Sequence, residues 1–380
     1  MSRPPATPGS PPPRRLAVLG HPIGHSLSPA LQSAAFRAAG LPWSYQAWDV
    51  PPGDLEAALA QVRADPRWAG VNLTIPHKEA ALALLDRLDP AARRIGAVNT
   101  VVREDGGALV GYNTDGTGFL RDLEEHGLPA GRLAGRRALV LGAGGAARAV
   151  AFALLEAGMA VVIANRTAAR ARALARELAQ APVDPGAAGG PPARPHPRHG
   201  IAGPAGSGDG GQSPQPGRPA GARDQGCEAS LDPAPVEAPV EALSLDDPAL
   251  PEVAAGCLLV VNATSAGMAP QLGVDPLPAT CRPLPGQVYY DLVYRPAVTP
   301  FLARAAAAGA RAIGGLGMLL HQGAAAFELW TNRPAPLAAM RAALQAALAA
   351  GDPGAPGARD VPAEAWDGTG RGASSPEQGA

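Results

Sequence analysis

The chain of 380 residues is long enough for two domains, and a hydrophobic content of 46% supplies the apolar surface for a sizeable core. Its 32 Lys and Arg against 33 Asp and Glu, a formal net charge of -1, remove the electrostatic case for a nucleic acid or an anionic membrane as partner, leaving a small molecule as the expected one. Cys227, Cys257 and Cys281 lack metal-ligand or redox-pair spacing, so no metal site is expected. With no signal-peptide pattern and no run of about 18 apolar residues, the cytoplasm is the expected location.

From Arg15 onward, short apolar runs of strand character alternate with helical patterns, an α/β arrangement. Strands are expected at Leu16–Leu19, Ser44–Val50 and Val71–Ile75, with helices beginning at Ser28, Gly53 and Pro76. Ser28 before Pro29 reads as an N-cap with proline at the first helical position, and Pro76 opens the next helix in the same way. Asn99–Glu104 and Ala108–Tyr112 flank Asp105-Gly106-Gly107 as a hairpin would, and a helix over Gly116–His126 leads into a second α/β series. There, strands are expected at Ala138–Leu141 and Val161–Ala164, with a helix between them ending at Ala157 and another over Ala168–Ala179. The pattern breaks and then resumes at Glu241–Leu245, Cys257–Val261 and Val288–Leu292, strands that a doubly wound sheet would still need.

The 47 Gly and 43 Pro crowd into 1–13, about 182–236 and 351–380. Those stretches are too poor in apolar surface to offset the entropy of ordering, so they are expected to be disordered, the middle one as an insertion. Such an insertion is tolerable because loop-closure cost rises only about 0.6 kcal/mol per doubling of length.

The expected strand Ala138–Leu141 runs directly into Gly142-Ala143-Gly144-Gly145-Ala146-Ala147, a Gly-x-Gly-x-x-Gly/Ala pattern in the strand-to-helix context of a Rossmann-type dinucleotide site. Gly142 would allow the tight turn, Gly144 a close approach to a pyrophosphate, and Ala147 close helix packing. About twenty residues on, where NAD sites carry an acid for the ribose, stand Asn165-Arg166-Thr167 and, one turn later, Arg170. Arg166 and Arg170 suit a 2′-phosphate, which points to NADP(H) over NAD.

In the first half, polar residues sit at the ends of apolar strands: Ser26, Ser28, Asn72, Thr74, Lys78, Asn99, Asn113 and Asp115. A parallel sheet would bring them together. Singly, each has a plain structural alternative as a cap, turn former or solvated first-turn residue.

With their flanks these residues resemble the shikimate dehydrogenase family, in Gly20-His-Pro-Ile-Gly-His-Ser26-Leu-Ser28-Pro29, Gly70-Val-Asn72-Leu-Thr74-Ile-Pro-His-Lys78, Gly96-Ala-Val-Asn99-Thr and Asn113-Thr-Asp115-Gly. The similarity continues through Gly142 to Ala146, Asn165-Arg166-Thr167 with Arg170, Asn262-Ala-Thr-Ser-Ala-Gly-Met268, Tyr290-Asp-Leu292-Val-Tyr294 and Gly315-Leu-Gly-Met318-Leu-Leu-His-Gln322. The resemblance implies interconversion of 3-dehydroshikimate and shikimate with NADPH, in aromatic amino-acid biosynthesis, by two domains closing over a cleft. It implies a substrate-binding catalytic domain over 14–117, completed by C-terminal helices at about 319–349, and an NADP-binding Rossmann domain over 118–318 carrying the insertion.

By the same resemblance, Ser26 and Ser28 would hydrogen-bond the substrate carboxylate, and Thr74, Lys78, Asn99, Asp115, Tyr294 and Gln322 would surround its ring and hydroxyls. Gly142, Ala143, Gly144, Gly145, Ala146, Asn165, Arg166, Thr167 and Arg170 would hold the cofactor, with Leu292 and Gly315 near the nicotinamide. Hydride transfer to a carbonyl builds negative charge on oxygen, which a positioned ammonium stabilises and protonates, the role that fits Lys78. A free lysine, with a pKa of about 10.4, is a poor base near neutrality, so the reverse reaction would need Lys78 tuned by its surroundings, and Asp115 is better read as orienting it. His25 and His321 sit beside site residues, but chain neighbours point apart, so structural roles are expected for both. The rival readings are a quinate/shikimate dehydrogenase using NAD, against which Arg166 speaks, and a catalytically silent NADP-binding regulator, which could dispense with Lys78 and Asp115. A homodimer is left open.

Overall fold

The structure, a computed structural model, describes residues 12–180 and 240–350. The disorder expected of 1–13, 182–236 and 351–380 therefore falls outside the described residues, apart from 12 and 13.

The first half runs β1 (Arg15–Gly20), α1 (Ser28–Ala38), β2 (Ser44–Asp49), α2 (Leu55–Ala64), β3 (Trp68–Leu73), α3 (His77–Ala80), β4 (Arg87–Leu88), α4 (Pro90–Ile95), β5 (Thr100–Arg103) and β6 (Leu109–Tyr112). These strands form one sheet in the order β2-β1-β3-β5-β6-β4. Central β3 is buried along its whole length, whereas edge strand β2 exposes most of its residues, as layers covering the middle of a sheet dictate. The sheet is not parallel throughout: β1 is parallel to β2 and β3, but β5 is antiparallel to β3 and β6. The polar strand ends still converge, because reversing β5 puts its first residue beside the last residues of β3 and β6. The expected hairpin joins β5 to β6, with Gly107 at φ +88°, a left-handed turn position that glycine adopts without strain.

Ser28 departs from the expected cap. Leu27 is the N-cap of α1 and no side chain caps the helix, Ser28 being the first helical residue with Pro29 behind it. Ser28 is buried in the fold, and its side chain takes no part in capping. Pro76, similarly, is the cap residue of α3 rather than its first residue, and α3 is a single turn followed by a 3-10 segment.

α5 (Asp115–Glu125) and α6 (Ala130–Leu133) lead to β7 (Arg137–Leu141), α7 (Gly145–Glu156), β8 (Ala160–Asn165) and α8 (Ala168–Ala179). Beyond the undescribed segment follow β9 (Val240–Ser244), α9 (Leu250–Ala255), β10 (Leu259–Asn262), β11 (Val288–Asp291), α10 (Pro300–Ala307) and β12 (Arg311–Gly314). This second sheet is wholly parallel in the order β12-β11-β10-β7-β8-β9. Counted from β7, the order is the 3-2-1-4-5-6 of a Rossmann fold, whose ligand crevice opens where the winding reverses, between β7 and β10.

α11 (Leu316–Thr331) and α12 (Leu337–Ala350) return to the first sheet, where Phe327, Trp330, Met340 and Leu344 share a core with Leu16, Leu31 and Phe36. α5 lies between the halves: Asp115 starts it at the first sheet, while Phe119, Leu120 and Leu123 enter the core of the second. Small residues allow its close packing, since a Cβ on Gly116 would stand 3.0 Å from the Ala149 carbonyl of α7, and one on Gly118 2.6 Å from the Gln322 nitrogen of α11. Among the described residues, no helix is long and apolar enough to cross a membrane.

Candidate active site

Lys78 lies in the single turn after β3, and its Nζ donates to Asp115 Oδ2 at 2.5 Å; both side chains are largely buried. Asn99, just before β5, donates through Nδ2 to Asp115 Oδ1 at 2.8 Å and to Gln322 Oε1 of α11 at 3.3 Å. Lys78, Asp115, Asn99 and Gln322 thus converge, from four separate chain segments. Their positions are imposed by neighbours: Asp115 N donates to Asn113 Oδ1 at 3.0 Å, Asn113 Nδ2 to the Ala97 carbonyl at 2.9 Å, and Val98 N to the Lys78 carbonyl at 2.7 Å. Burial of the Lys78–Asp115 pair strengthens the field an incoming oxygen would meet.

Thr74 follows β3 directly, half-buried, its N–H donating to the Leu19 carbonyl at 2.9 Å. Elsewhere in the first half, Ser26 Oγ accepts from Ser28 N at 3.3 Å, and Tyr294, whose pKa burial raises, packs against the core that contains Leu27, between the two serines. Ser26, Ser28 and Tyr294 therefore form a second group, distinct from the lysine cluster. Two further groups extend the lysine cluster: Tyr45 OH donates to Asn72 Oδ1 at 2.6 Å, and Asn72 Nδ2 donates to the Asn99 carbonyl and to Thr100 Oγ1, both at 3.0 Å. Asn72 stands in one of the family-like motifs, but nothing in the sequence marks the Tyr45 hydroxyl, because its partners lie on other strands.

On the second sheet, Gly142 adopts φ +113°, and its N–H donates to the Ala164 carbonyl at 2.8 Å. Only glycine takes this backbone readily, and a side chain there would also press on Ala263 and Thr264 after β10. Gly144, the N-cap of α7, is different: a Cβ there would meet nothing within 4 Å. The cradle is open, and the unpaired N–H groups of α7 face it, which fits a pyrophosphate. Ala143 is buried and Ala146 half-buried in the same turn. Asn165 ends adjacent β8, its Nδ2 donating to the Thr167 carbonyl at 3.1 Å. Arg166, Thr167 and Arg170 lie at the start of α8, and neither arginine has an ion-pair partner among the described residues. With no acid at the end of β8, the donor set suits a phosphate on the ribose.

Two close approaches shape the site, the first of them across the halves. A Cβ on Gly145 would stand 2.8 Å from Lys78 Cβ, so the glycine loop is pressed against the lysine turn. Leu292 follows β11, and Gly315 lies against its carbonyl where no side chain would fit. The Leu292–Tyr294 segment is pinned by buried Asp291, which accepts from Thr299 Oγ1 at 2.6 Å, Asn262 Nδ2 at 2.9 Å and Val293 N at 2.9 Å. Burial pushes the Asp291 carboxyl up to about 6.

His25 is exposed at the loop and contributes no contact to the lysine cluster. His321 points away from Gln322, with Nε2 3.0 Å from Glu125 Oε1, and burial lowers its pKa. Asp122, Glu125 and His321 lie close enough to share an ion, but their carboxylates are already engaged: Tyr290 OH donates to Asp122 at 2.5 Å and Arg341 spans both Glu125 oxygens at 2.8 and 2.9 Å.

A Rossmann sheet with an open phosphate cradle, set against a buried ammonium–carboxylate pair, defines a two-domain nicotinamide-dependent oxidoreductase. Comparison with known proteins narrows this. The pattern of the shikimate dehydrogenase substrate binding domain matches residues 18–101, that of the shikimate / quinate 5-dehydrogenases residues 125–185, and that of the shikimate 5'-dehydrogenase C-terminal domain residues 315–345. The shikimate dehydrogenase (NADP(+)) of Moorella thermoacetica is 46% identical over 340 residues, covering 89% of this chain and 95% of that protein. Among solved structures, a shikimate dehydrogenase in complex with NADP+ superimposes with a TM-score of 0.68 at 32% identity, covering 90% of this chain and 99% of that one. The shikimate 5-dehydrogenase of Thermus thermophilus, in complex with NADP(H) and shikimate, does so with a TM-score of 0.66 at 40% identity, covering 88% and 100%. The chain belongs to the shikimate dehydrogenase family.

Proposed function

We propose that this protein reversibly reduces 3-dehydroshikimate to shikimate with NADPH, a step toward aromatic amino acids. The observation that carries the reading is the contact of Gly145 with Lys78, which puts the dinucleotide loop of one half against the ammonium–carboxylate pair of the other.

Gly142 to Ala146 and the first turn of α7 hold the pyrophosphate of NADP(H), Asn165, Arg166, Thr167 and Arg170 its adenosine 2′-phosphate, and Leu292 and Gly315 border its nicotinamide. When bound, NADPH supplies the hydride that reduces the C3 carbonyl. Ser26 and Ser28 hold the substrate carboxylate, with Tyr294 beside them. Thr74, Asn99 and Gln322 bind ring hydroxyls and fix which carbon faces the cofactor. Lys78 Nζ carries the proton and stabilises the oxygen that becomes alkoxide, giving up that proton as the alcohol forms. Asp115 keeps Nζ aimed through its 2.5 Å contact and presents its other oxygen to Asn99 and the substrate. In the oxidation direction, the same Nζ takes the hydroxyl proton back.

The deciding experiment follows nicotinamide absorbance with shikimate or quinate, each paired with NADP or NAD. Turnover highest with shikimate and NADP is expected. Preference for quinate with NAD would assign the protein to the rival dehydrogenase, and no turnover with any pair would point to a silent NADP-binding regulator.

A further inference from the structure

The hydrogen bonds running from Tyr45 to the lysine cluster have forced directions. The Asn99 carbonyl can only accept, so the Asn72 amide must turn its Nδ2 toward it, and both Nδ2 hydrogens are spent there and on Thr100 Oγ1. Asn72 Oδ1 then faces Tyr45, whose single proton must be donated to it at 2.6 Å. With that proton spent, the phenol oxygen can only accept from any further partner. On the far side, Thr100 Oγ1 passes its proton to Asn99 Oδ1 at 2.9 Å, and Asn99 Nδ2 donates to Asp115 Oδ1 at 2.8 Å. The result is one directed chain, from Tyr45 through Asn72, Thr100 and Asn99 to the carboxylate that aims Lys78. Its middle is sealed: Tyr45, Asn72, Asn99 and Thr100 are all buried, so water cannot substitute for a lost member.

We propose that Tyr45 is a positioning residue of the active site: it orients Asn72, and through it Asn99 and Asp115. The proposal rests on the shikimate reading only for the identity of the substrate whose turnover is measured.

The test is Tyr45→Phe, which retains the ring beside Trp330, at 6.2 Å between centroids, and removes only the hydroxyl. Asn72 Oδ1 is left without its donor, and kcat with shikimate is expected to fall about tenfold, the scale of one buried unsatisfied group. Shikimate KM and the NADP dissociation constant should each stay within about twofold, since no group placed on substrate or cofactor is removed. A purely structural Tyr45 would lower the melting temperature with kcat per folded enzyme unchanged, and that result overturns the proposal, as does a raised KM at unchanged kcat. Thr100→Val breaks the same chain one link further on and keeps the idea open to refutation if the Phe variant does not fold; it too must lower kcat without weakening NADP. The wild-type enzyme with shikimate and NADP is the control: if it fails to turn over, the shikimate assignment is at fault, not the positioning role.

Discussion

At the scale of single residues, the site depends on what each side chain can donate. Lys78 is paired to Asp115 beside the glycine loop, and among the described residues it supplies the ammonium of that cluster. Replacing Lys78 with Ala removes both the charge stabilisation and the proton, so kcat should fall by roughly 10²- to 10⁴-fold. NADP binding, measured by titration of the protein's fluorescence, should persist. Wild-type turnover in that variant would remove Lys78 from the chemistry. Most of these residues are legible in the sequence because strand ends rich in Asn, Thr, Ser, Lys and Asp are unusual between apolar runs. Tyr45 is not, because an aromatic residue in a strand is ordinary, and only its partner Asn72, 27 positions away, gives its hydroxyl a purpose.

At the scale of elements, helix approach and loop pinning decide stability. Gly317 in α11 has no room for a side chain, since a Cβ would overlap the Asp122 carboxylate of α5. Gly317→Ala should therefore destabilise the fold by about 1–3 kcal/mol through overpacking, read as a lower denaturant midpoint, even though alanine favours helix elsewhere. Asp291, fully buried at the end of β11, carries a second expectation. Burial raises its pKa from 3.8 to about 6 in the folded state, so the native protein binds this proton more tightly than the unfolded chain does. Its contribution is then fully present below about pH 4 and is lost as pH rises toward about 6, a change on the order of 2–3 kcal/mol. Unfolding measured across that window should show this falling component, and Asp291→Asn should flatten it; an identical slope in the variant would show that other groups set it.

At the scale of the whole molecule, the second sheet closes across the undescribed segment. α8 ends at Ala179, and β9 begins at Val240 already paired with β8 from Val161 to Asn165. The crossover is completed by residues on either side, so replacing 185–235 with a short linker should leave soluble protein with nearly unchanged kcat and KM. Loss of activity would show that the segment supports the fold or the cleft.

Local pattern alone determined the alternation of strands and helices, the glycine loop and the arginines that favour NADP. Each of these is a property of neighbouring residues: periodicity, turn chemistry, or charge next to a helix start. The tertiary structure decided what depends on distant parts meeting. It reversed β5 so that a mixed sheet still gathers the polar ends, and it placed Ser28 inside the first turn of α1 rather than at its cap. It also brought Gln322, 223 residues further along the chain, to Asn99. The glycine loop names a cofactor by itself, but it becomes a wall of the reaction site only where packing sets Gly145 against Lys78.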